Sequence, residues 1–170
     1  MMIKRAQIGL VFVMLITATA CTMGYSFTGA PITAKTISID FFPNKARLVN
    51  PSLSQVLTDG FRDRFANQTK MDLVEGDADM HIEGEIIDYR TNPVAIQGNQ
   101  TAALNRLTIS VKVRFTNNEP DKENDSFDQT FTSFEDYDAS QSFSSVEDQL
   151  VEIIVDRIVT DVFNKAVVNW

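Results

Sequence analysis

The chain of 170 residues is long enough for one domain with a sizeable core, and 44% of its residues are hydrophobic. Its formal net charge of -8 argues against nucleic acid as the main partner, because phosphate binding requires clustered Lys and Arg. One Cys and one His exclude an intrachain disulfide and a zinc site built from Cys and His side chains. The composition therefore favours an ordinary globular domain without such cross-links.

Residues that carry chemistry do not form a recognisable catalytic motif. His81 is the only imidazole, and neither a nucleophile elbow nor a glycine-rich phosphate loop accompanies it. We interpret His81 as a partly exposed histidine on a strand, near Glu83. We therefore expect no catalytic residues, no metal site and no enzymatic activity.

The first 20 residues are typical of a secretory signal peptide. Lys4 and Arg5 precede an apolar run over residues 8–16, and small residues follow up to Ala20. The apolar run is shorter than the roughly 20 residues of a membrane-spanning helix. Cys21 comes next, in a segment that resembles a bacterial lipobox, so we expect cleavage before it and a covalent lipid on its sulfur, with no other cofactor. The alternative is an ordinary signal peptide followed by an unrelated thiol.

A tether precedes the folded part of the mature chain. Residues 21–35 are rich in Gly, Ser, Thr and Pro, which predicts an extended, lipidated segment before a domain over residues 36–170. Thr22 follows the Cys without an Asp beside it, as in lipoproteins that are sorted to the outer membrane. We therefore expect an anchor in that membrane.

The domain begins with a strand and a helix. Alternation over residues 36–42 predicts a half-buried strand with Phe41 facing inward. Asn50 and Pro51 are typical of a helix start, and apolar residues then recur at helical spacing as far as Phe65. Gly60 inside this helix suggests a close approach to the sheet.

Three further strands are predicted over residues 80–90, 103–117 and 126–134. On the first of them His81, Glu83 and Tyr89 share the outward face. The strand over residues 103–117, the third predicted in the chain, alternates most clearly, with inward residues Leu107, Ile109, Val111, Val113 and Phe115. Polar loops over residues 91–101 and 117–125 separate these strands.

A capping box of Ser144 and Glu147 predicts a last helix that reaches about Ala166. This helix is apolar over a wide arc, which indicates either deep burial or a partner. The order is β-α-β-β-β-α. It predicts an α+β two-layer sandwich with a mostly antiparallel four-stranded sheet and two helices on one face.

Three basic residues, Arg106, Lys112 and Arg114, share the outward face of the third predicted strand. They stand out because the chain is strongly acidic. They either pair across strands with Glu83 and Glu85, or bind an anionic ligand such as a lipid phosphate.

Several segments together resemble the lipopolysaccharide-assembly lipoprotein family LptE in its Bacteroidetes form. They are the lipobox, GYSFTG (24–29), AKTISI (34–39), NPSL (50–53), PVAIQ (93–97), ALNRLTI (103–109) and FNKAVVNW (163–170). The resemblance covers essentially the whole mature chain. It agrees with the order of elements inferred from periodicity.

The resemblance implies a non-enzymatic outer-membrane lipoprotein that faces the periplasm. Such proteins support and plug the β-barrel LptD, which inserts lipopolysaccharide, and some family members also bind lipopolysaccharide. A plug must be polar where it meets a wet lumen, so Gln97 and Asp121 in the two polar loops are the expected barrel contacts. The alternative is a lipoprotein that binds a soluble ligand or peptide without a barrel.

Overall fold

The computed structural model describes residues 33–94, 103–120, 122 and 125–168. In chain order the elements are β1 (Thr36–Ile39), α1 (Leu53–Gln68), β2 (Asp72–Leu73), β3 (Met80–Val94), β4 (Leu104–Asn117), β5 (Phe127–Asp138), α2 (Phe143–Phe163) and a π-helical turn (Asn164–Val168).

Several predicted features lie outside the described residues. They are the signal peptide, most of the tether, the lipidated Cys21, and the expected barrel contacts Gln97 and Asp121. These remain predictions.

The described residues form one sheet in the order β2-β1-β3-β4-β5. β1 runs parallel to both β2 and β3, whereas β3, β4 and β5 form an antiparallel meander. The predicted α+β class with two helices is confirmed. The sheet has five strands instead of the predicted four, and the order of elements along the chain is β-α-β-β-β-β-α. α1 carries the chain back across the sheet, so the next strand lies parallel to β1. The additional strand, β2, is only two residues long and both are exposed, so no alternation could reveal it.

Both helices bury their apolar faces in a single core with the inward residues of the sheet. Val155 and Val159 of α2 lie against α1, where a Cβ on Gly60 would stand 3.4 Å from a methyl group of each. Gly60 therefore allows a close approach to α2 and not, as predicted, to the sheet. The wide apolar arc of α2 is covered by the sheet and α1, which answers the question that its sequence left open.

A β-bulge in β3 reverses which residues face the helices. The register with β4 shifts between Ile86 and Asp88, and Ile87 is 40% exposed. Because the bulge inserts one residue, Tyr89 returns to the inward face and is only 5% exposed. The prediction that Tyr89 faces outward is therefore wrong.

The strands differ from their predicted lengths at three places. β3 continues through the predicted loop to Val94, and β5 continues past Phe134 to Asp138. After β1 the chain keeps bonding to β3, and Phe42 enters the core instead of Phe41, which is exposed. Phe42 stacks on Phe61 of α1 with ring centroids 4.9 Å apart.

The helix starts are joined by a partly buried polar cluster of Asn50, Tyr89 and Glu147. Asn50 Oδ1 accepts hydrogen bonds from the backbone N–H groups of Ser52 and Leu53, which satisfies two donors at the start of α1. Glu147 Oε1 accepts from the Tyr89 hydroxyl at 2.5 Å and from Asn50 Nδ2 at 2.7 Å. Burial, and then the bond to Glu147, raise the pKa of Tyr89.

The predicted capping box is wrong. α2 begins at Phe143, one residue before the expected cap Ser144, and Ser142 precedes it without a side-chain cap. Glu147 instead turns toward α1 and β3, where it satisfies two donors. The box pattern therefore marked a tertiary contact, which no local spacing can distinguish from a cap.

We predict that Glu147→Ala lowers the free energy of unfolding by about 1–3 kcal/mol, because it leaves the donors of Tyr89 and Asn50 unpaired. Chemical unfolding followed by circular dichroism measures this loss. Asp148→Ala is the matched control, since Asp148 is exposed on the same helix. Equal losses for both variants would contradict the role of the cluster.

Candidate functional site

The outward face of β3, β4 and β5 carries the predicted basic row. In the sheet register, Arg114 lies between Glu83 and Asp128. Lys112 lies two residues away on the same face of β4, and Arg106 lies at the far end of it. Alternation along a single strand therefore places all three cations on one surface.

Arg114 joins three strands through two carboxylates. Its Nη1 donates to Glu83 Oε1 at 2.9 Å, and its Nη2 donates to Asp128 Oδ2 at 3.2 Å. Lys112 Nζ lies 3.5 Å from the other oxygen of Asp128. These hydrogen bonds raise the pKa of Arg114, Asp128 first and Glu83 second.

A shallow pocket of about 190 Å³ lies over this cluster. Its lining contains three carboxylates, from Glu83, Glu85 and Asp128, against the two cations of Lys112 and Arg114. The acidic groups outnumber the basic ones, so the pocket does not concentrate positive charge as a phosphate site would.

Arg106 forms a bidentate pair with Asp136 of β5. Its Nε and Nη2 donate to the two carboxylate oxygens at 2.7 and 2.9 Å. The guanidinium also lies 3.8 Å from the centroid of the Phe134 ring, a cation–π contact. The hydrogen bonds from Arg106 hold the pKa of the Asp136 carboxyl below its usual value.

The structure brings Lys112 and Arg114 together and leaves Arg106 in a separate pair. The sequence suggested Glu83 and Glu85 as cross-strand partners, and Arg114 bonds the first of them. Asp128 and Asp136 were missed as partners. Folding the third and fourth predicted strands about their loop places Asp128 opposite Arg114. Asp136 was not predicted as a partner because its strand was expected to end at residue 134.

The Asp136 pair predicts a specific dependence of stability on pH. A carboxyl whose pKa is lowered by folding stabilises the protein above its unfolded pKa of about 4, and this contribution is lost as pH falls through the native pKa. Asp136→Asn should therefore lower the thermal midpoint at pH 7 more than at pH 3. A difference that stays constant between these pH values would show that the pair contributes nothing.

His81 lies on the same outward face, at the end near β1. Its side chain is 28% exposed, as expected for a sheet histidine. Nδ1 lies 2.6 Å from Ser38 Oγ, and Nε2 lies 3.5 Å from Asp40 Oδ2.

A second, larger groove of about 510 Å³ lies beside β1 and β2. It is lined by backbone and side chains of residues 38–41 and 73–76 together with Arg62. Its rim carries the exposed apolar side chains of Phe41 and Leu73.

Neither helix in the described ranges combines the length and the apolar character needed to cross a bilayer. This finding concerns residues 33–94, 103–120, 122 and 125–168.

Solved structures resemble the fold at low sequence identity. A hypothetical protein of Chlamydia trachomatis is 11% identical with a TM-score of 0.51, and the match covers 78% of this chain and 97% of that one. A protein of Xanthomonas campestris is 10% identical with a TM-score of 0.51, covering 79% and 86%. A minor lipoprotein of Acinetobacter baumannii is 16% identical with a TM-score of 0.46, covering 77% and 91%. At these identities the likeness concerns the fold alone.

Comparison with curated proteins finds no match. A family model described as "LptE: Lipopolysaccharide-assembly" matches residues 34–166. The match includes both helices and every strand that the structure describes. The chain therefore belongs to the LptE lipopolysaccharide-assembly family.

Proposed function

We propose that this protein is a non-catalytic outer-membrane lipoprotein, of the Bacteroidetes type of its family, that faces the periplasm. It supports and plugs the β-barrel LptD during insertion of lipopolysaccharide. The observation that carries the proposal is the family match over residues 34–166.

The two proposed contact loops leave the sheet at opposite ends. The loop that contains Gln97 joins β3 to β4, and the loop that contains Asp121 joins β4 to β5. β4 has 14 residues. At about 3.3 Å per residue it is roughly 46 Å long. The two loops follow opposite ends of a strand of this length, so Gln97 and Asp121 provide independent tests.

The tether leaves the domain at the end that carries the Asp121 loop. Lys122 Nζ donates to Thr33 Oγ1 at 3.2 Å, and the Asp79 carboxylate accepts from the N–H groups of Lys35 and Thr36 at 2.7 and 3.0 Å. These backbone bonds, that of Lys35 first, lower the pKa of Asp79. The described part of the tether therefore joins the domain at the end where β4 leads into β5, opposite the connection between β3 and β4.

Photocrosslinkers at Gln97 and at Asp121 test the plug directly in cells. We expect both positions to capture LptD, and both products to disappear when LptD is depleted. Capture at neither position, in cells that need the protein for envelope integrity, would contradict the plug. Capture at one position alone would contradict contact at both ends.

The lipid anchor is tested by Cys21→Ala. We expect the variant to leave the membrane fraction, because two or three acyl chains hold a protein on a bilayer and none remain. Intact mass spectrometry of the unaltered protein should show the added lipid. An unmodified thiol would contradict the anchor.

Direct lipopolysaccharide binding by Arg106, Lys112 and Arg114 is the finer part of the proposal, and it requires phosphate to compete with the carboxylates that already pair with these cations. Changing all three to Gln should weaken binding and reduce its dependence on salt. The control replaces three other exposed cations, Lys45, Arg47 and Lys70, and should bind normally. If the first triple variant binds normally but is less stable, the three cations serve only their carboxylate partners.

The groove beside β1 and β2 supports the second candidate function, binding of a soluble ligand or peptide. Its volume of about 510 Å³ lies in the usual range for small-molecule sites. Affinity purification from detergent-solubilised outer membrane separates the two functions. A stoichiometric barrel supports the plug, and its absence favours the groove.

A further inference from the structure

Asp40, His81 and Glu83 bring three potential metal ligands to one place on the outward face of the sheet. One ligand atom from each lies within 4.8 Å of the other two. The backbone holds this arrangement, because Ser38 pairs with His81 in the parallel register and Asp40 N donates to Ile82 O at 2.9 Å. The cluster therefore depends on the pairing of β1 with β3.

The separation between His81 and Asp40 fits two ligands of one ion. Nε2 and Oδ2 are 3.5 Å apart, which is longer than an ordinary hydrogen bond. Two ligands that are each about 2.0–2.1 Å from a tetrahedral zinc ion lie roughly 3.4 Å apart. A zinc ion between them requires almost no movement of either side chain.

Ser38 orients the imidazole as an outer partner of a metal ligand does. Its residue is only 2% exposed, and its Oγ lies 2.6 Å from His81 Nδ1. When Nδ1–H donates to this oxygen, the lone pair of Nε2 is directed toward the carboxylates. Metal-bound histidines almost always donate their other ring N–H to a carboxylate, a backbone carbonyl or water, and the Ser38 hydroxyl would take that role here.

The charges around the cluster are compatible with a divalent cation. Asp40 and Glu83 supply two negative charges, and Arg114 bonds only one oxygen of Glu83, Oε1. Asp128 shares the charge of Arg114 through two hydrogen bonds, from Nε and Nη2. One imidazole with two carboxylates suits zinc, whereas magnesium and calcium prefer oxygen ligands alone.

We propose that Asp40, His81 and Glu83 form a zinc site, with Ser38 as the residue that positions the imidazole. Composition excludes a zinc site built from Cys and His side chains alone, but it does not exclude one that combines a single imidazole with two carboxylates. The site joins β1 to β3, independently of any barrel or lipopolysaccharide.

Isothermal titration of the mature, lipidated chain in detergent with zinc chloride tests the site, using an affinity tag without histidine. We expect one saturable zinc ion per chain. His81→Gln and Glu83→Gln should each weaken zinc binding by about tenfold or more. Ser38→Ala should weaken it by about 10–100-fold, as the loss of a residue that hydrogen-bonds a metal ligand does. Glu85→Gln is the matched control, since Glu85 lies on the same face of β3, and should bind as the unaltered chain does.

The proton resonances of the single imidazole provide a second readout. Zinc should shift the His81 ring signals in the unaltered chain and in Glu85→Gln. Thermal unfolding in a chelator identifies variants that still fold, and Ser38→Ala or Asp40→Asn replaces any that do not. Absence of saturable binding, or binding that survives His81→Gln, would overturn the proposal.

Discussion

Val111→Asp is expected to abolish the folded state at room temperature, or to lower the free energy of unfolding by more than about 4 kcal/mol. Val111 is 0% exposed and lies on β4, an interior strand of the sheet, opposite Ile86 on β3 and Phe131 on β5. A carboxylate at this position would be buried beneath the helices without a partner. The cost of removing such a charge from water exceeds most other single-residue effects.

The adjacent residue provides the control, because it lies on the other face of the same strand. Lys112 is exposed and its ion pair with Asp128 is at the surface. Lys112→Gln should therefore change the free energy of unfolding by less than about 1 kcal/mol. Urea unfolding followed by circular dichroism measures both variants. A Val111→Asp chain that unfolds like the unaltered one would mean that β4 faces the opposite way.

Gly84→Ala is expected to be almost as damaging, although it adds a single methyl group. A Cβ at this position would lie 2.2 Å from the carbonyl oxygen of Lys112 and 2.6 Å from Cε1 of Phe42. The first atom is backbone of the paired strand, and the second belongs to a ring that stacks on Phe61. Neither can move without disturbing the sheet or the core, so we expect a loss of about 3 kcal/mol.

Gly60→Ala is the matched control for this substitution. Its Cβ would lie 3.4 Å from methyl groups of Val155 and Val159, which is ordinary van der Waals contact. Replacing Gly by Ala inside a helix also favours folding by up to about 1 kcal/mol. We therefore expect Gly60→Ala to be neutral or mildly stabilising. The opposite ranking of the two variants in thermal unfolding would contradict the described packing.

The sequence predicts those parts of the fold in which apolar residues recur at regular spacing along an element that packs on the core. Residues 107–115 of β4 alternate apolar with polar in the sequence, and the apolar members are all buried, as predicted, although Thr108 and Ser110 on the other face are buried as well. The last helix was predictable for a similar reason, because apolar side chains recur along most of its length. In both elements the burial of the apolar residues follows from their spacing in the chain.

Other features depend on contacts between distant segments, which local patterns do not encode. The bulge at Ile87 changes the face of Tyr89 without altering the composition of the strand. Glu147 matched a cap pattern but accepts from Asn50, which precedes α1, and from Tyr89 of β3. The zinc ligands could not be found from spacing, because Asp40 meets His81 only through the parallel pairing of β1 with β3.

The hairpin of β3 and β4 extends beyond the buried core, and amide hydrogen exchange should reveal the boundary. The side chains of residues 90–93 are exposed, whereas Ile82 and Ile86 are fully buried. Opening the hairpin at residues 90–93 therefore exposes little apolar surface, whereas opening it at Ile82 and Ile86 disrupts the core. Amide protons of residues 91–94 that bond across the hairpin should exchange by local fraying. Those of residues 82–86 should exchange only when the whole domain unfolds, so one pair of strands reports two different opening free energies.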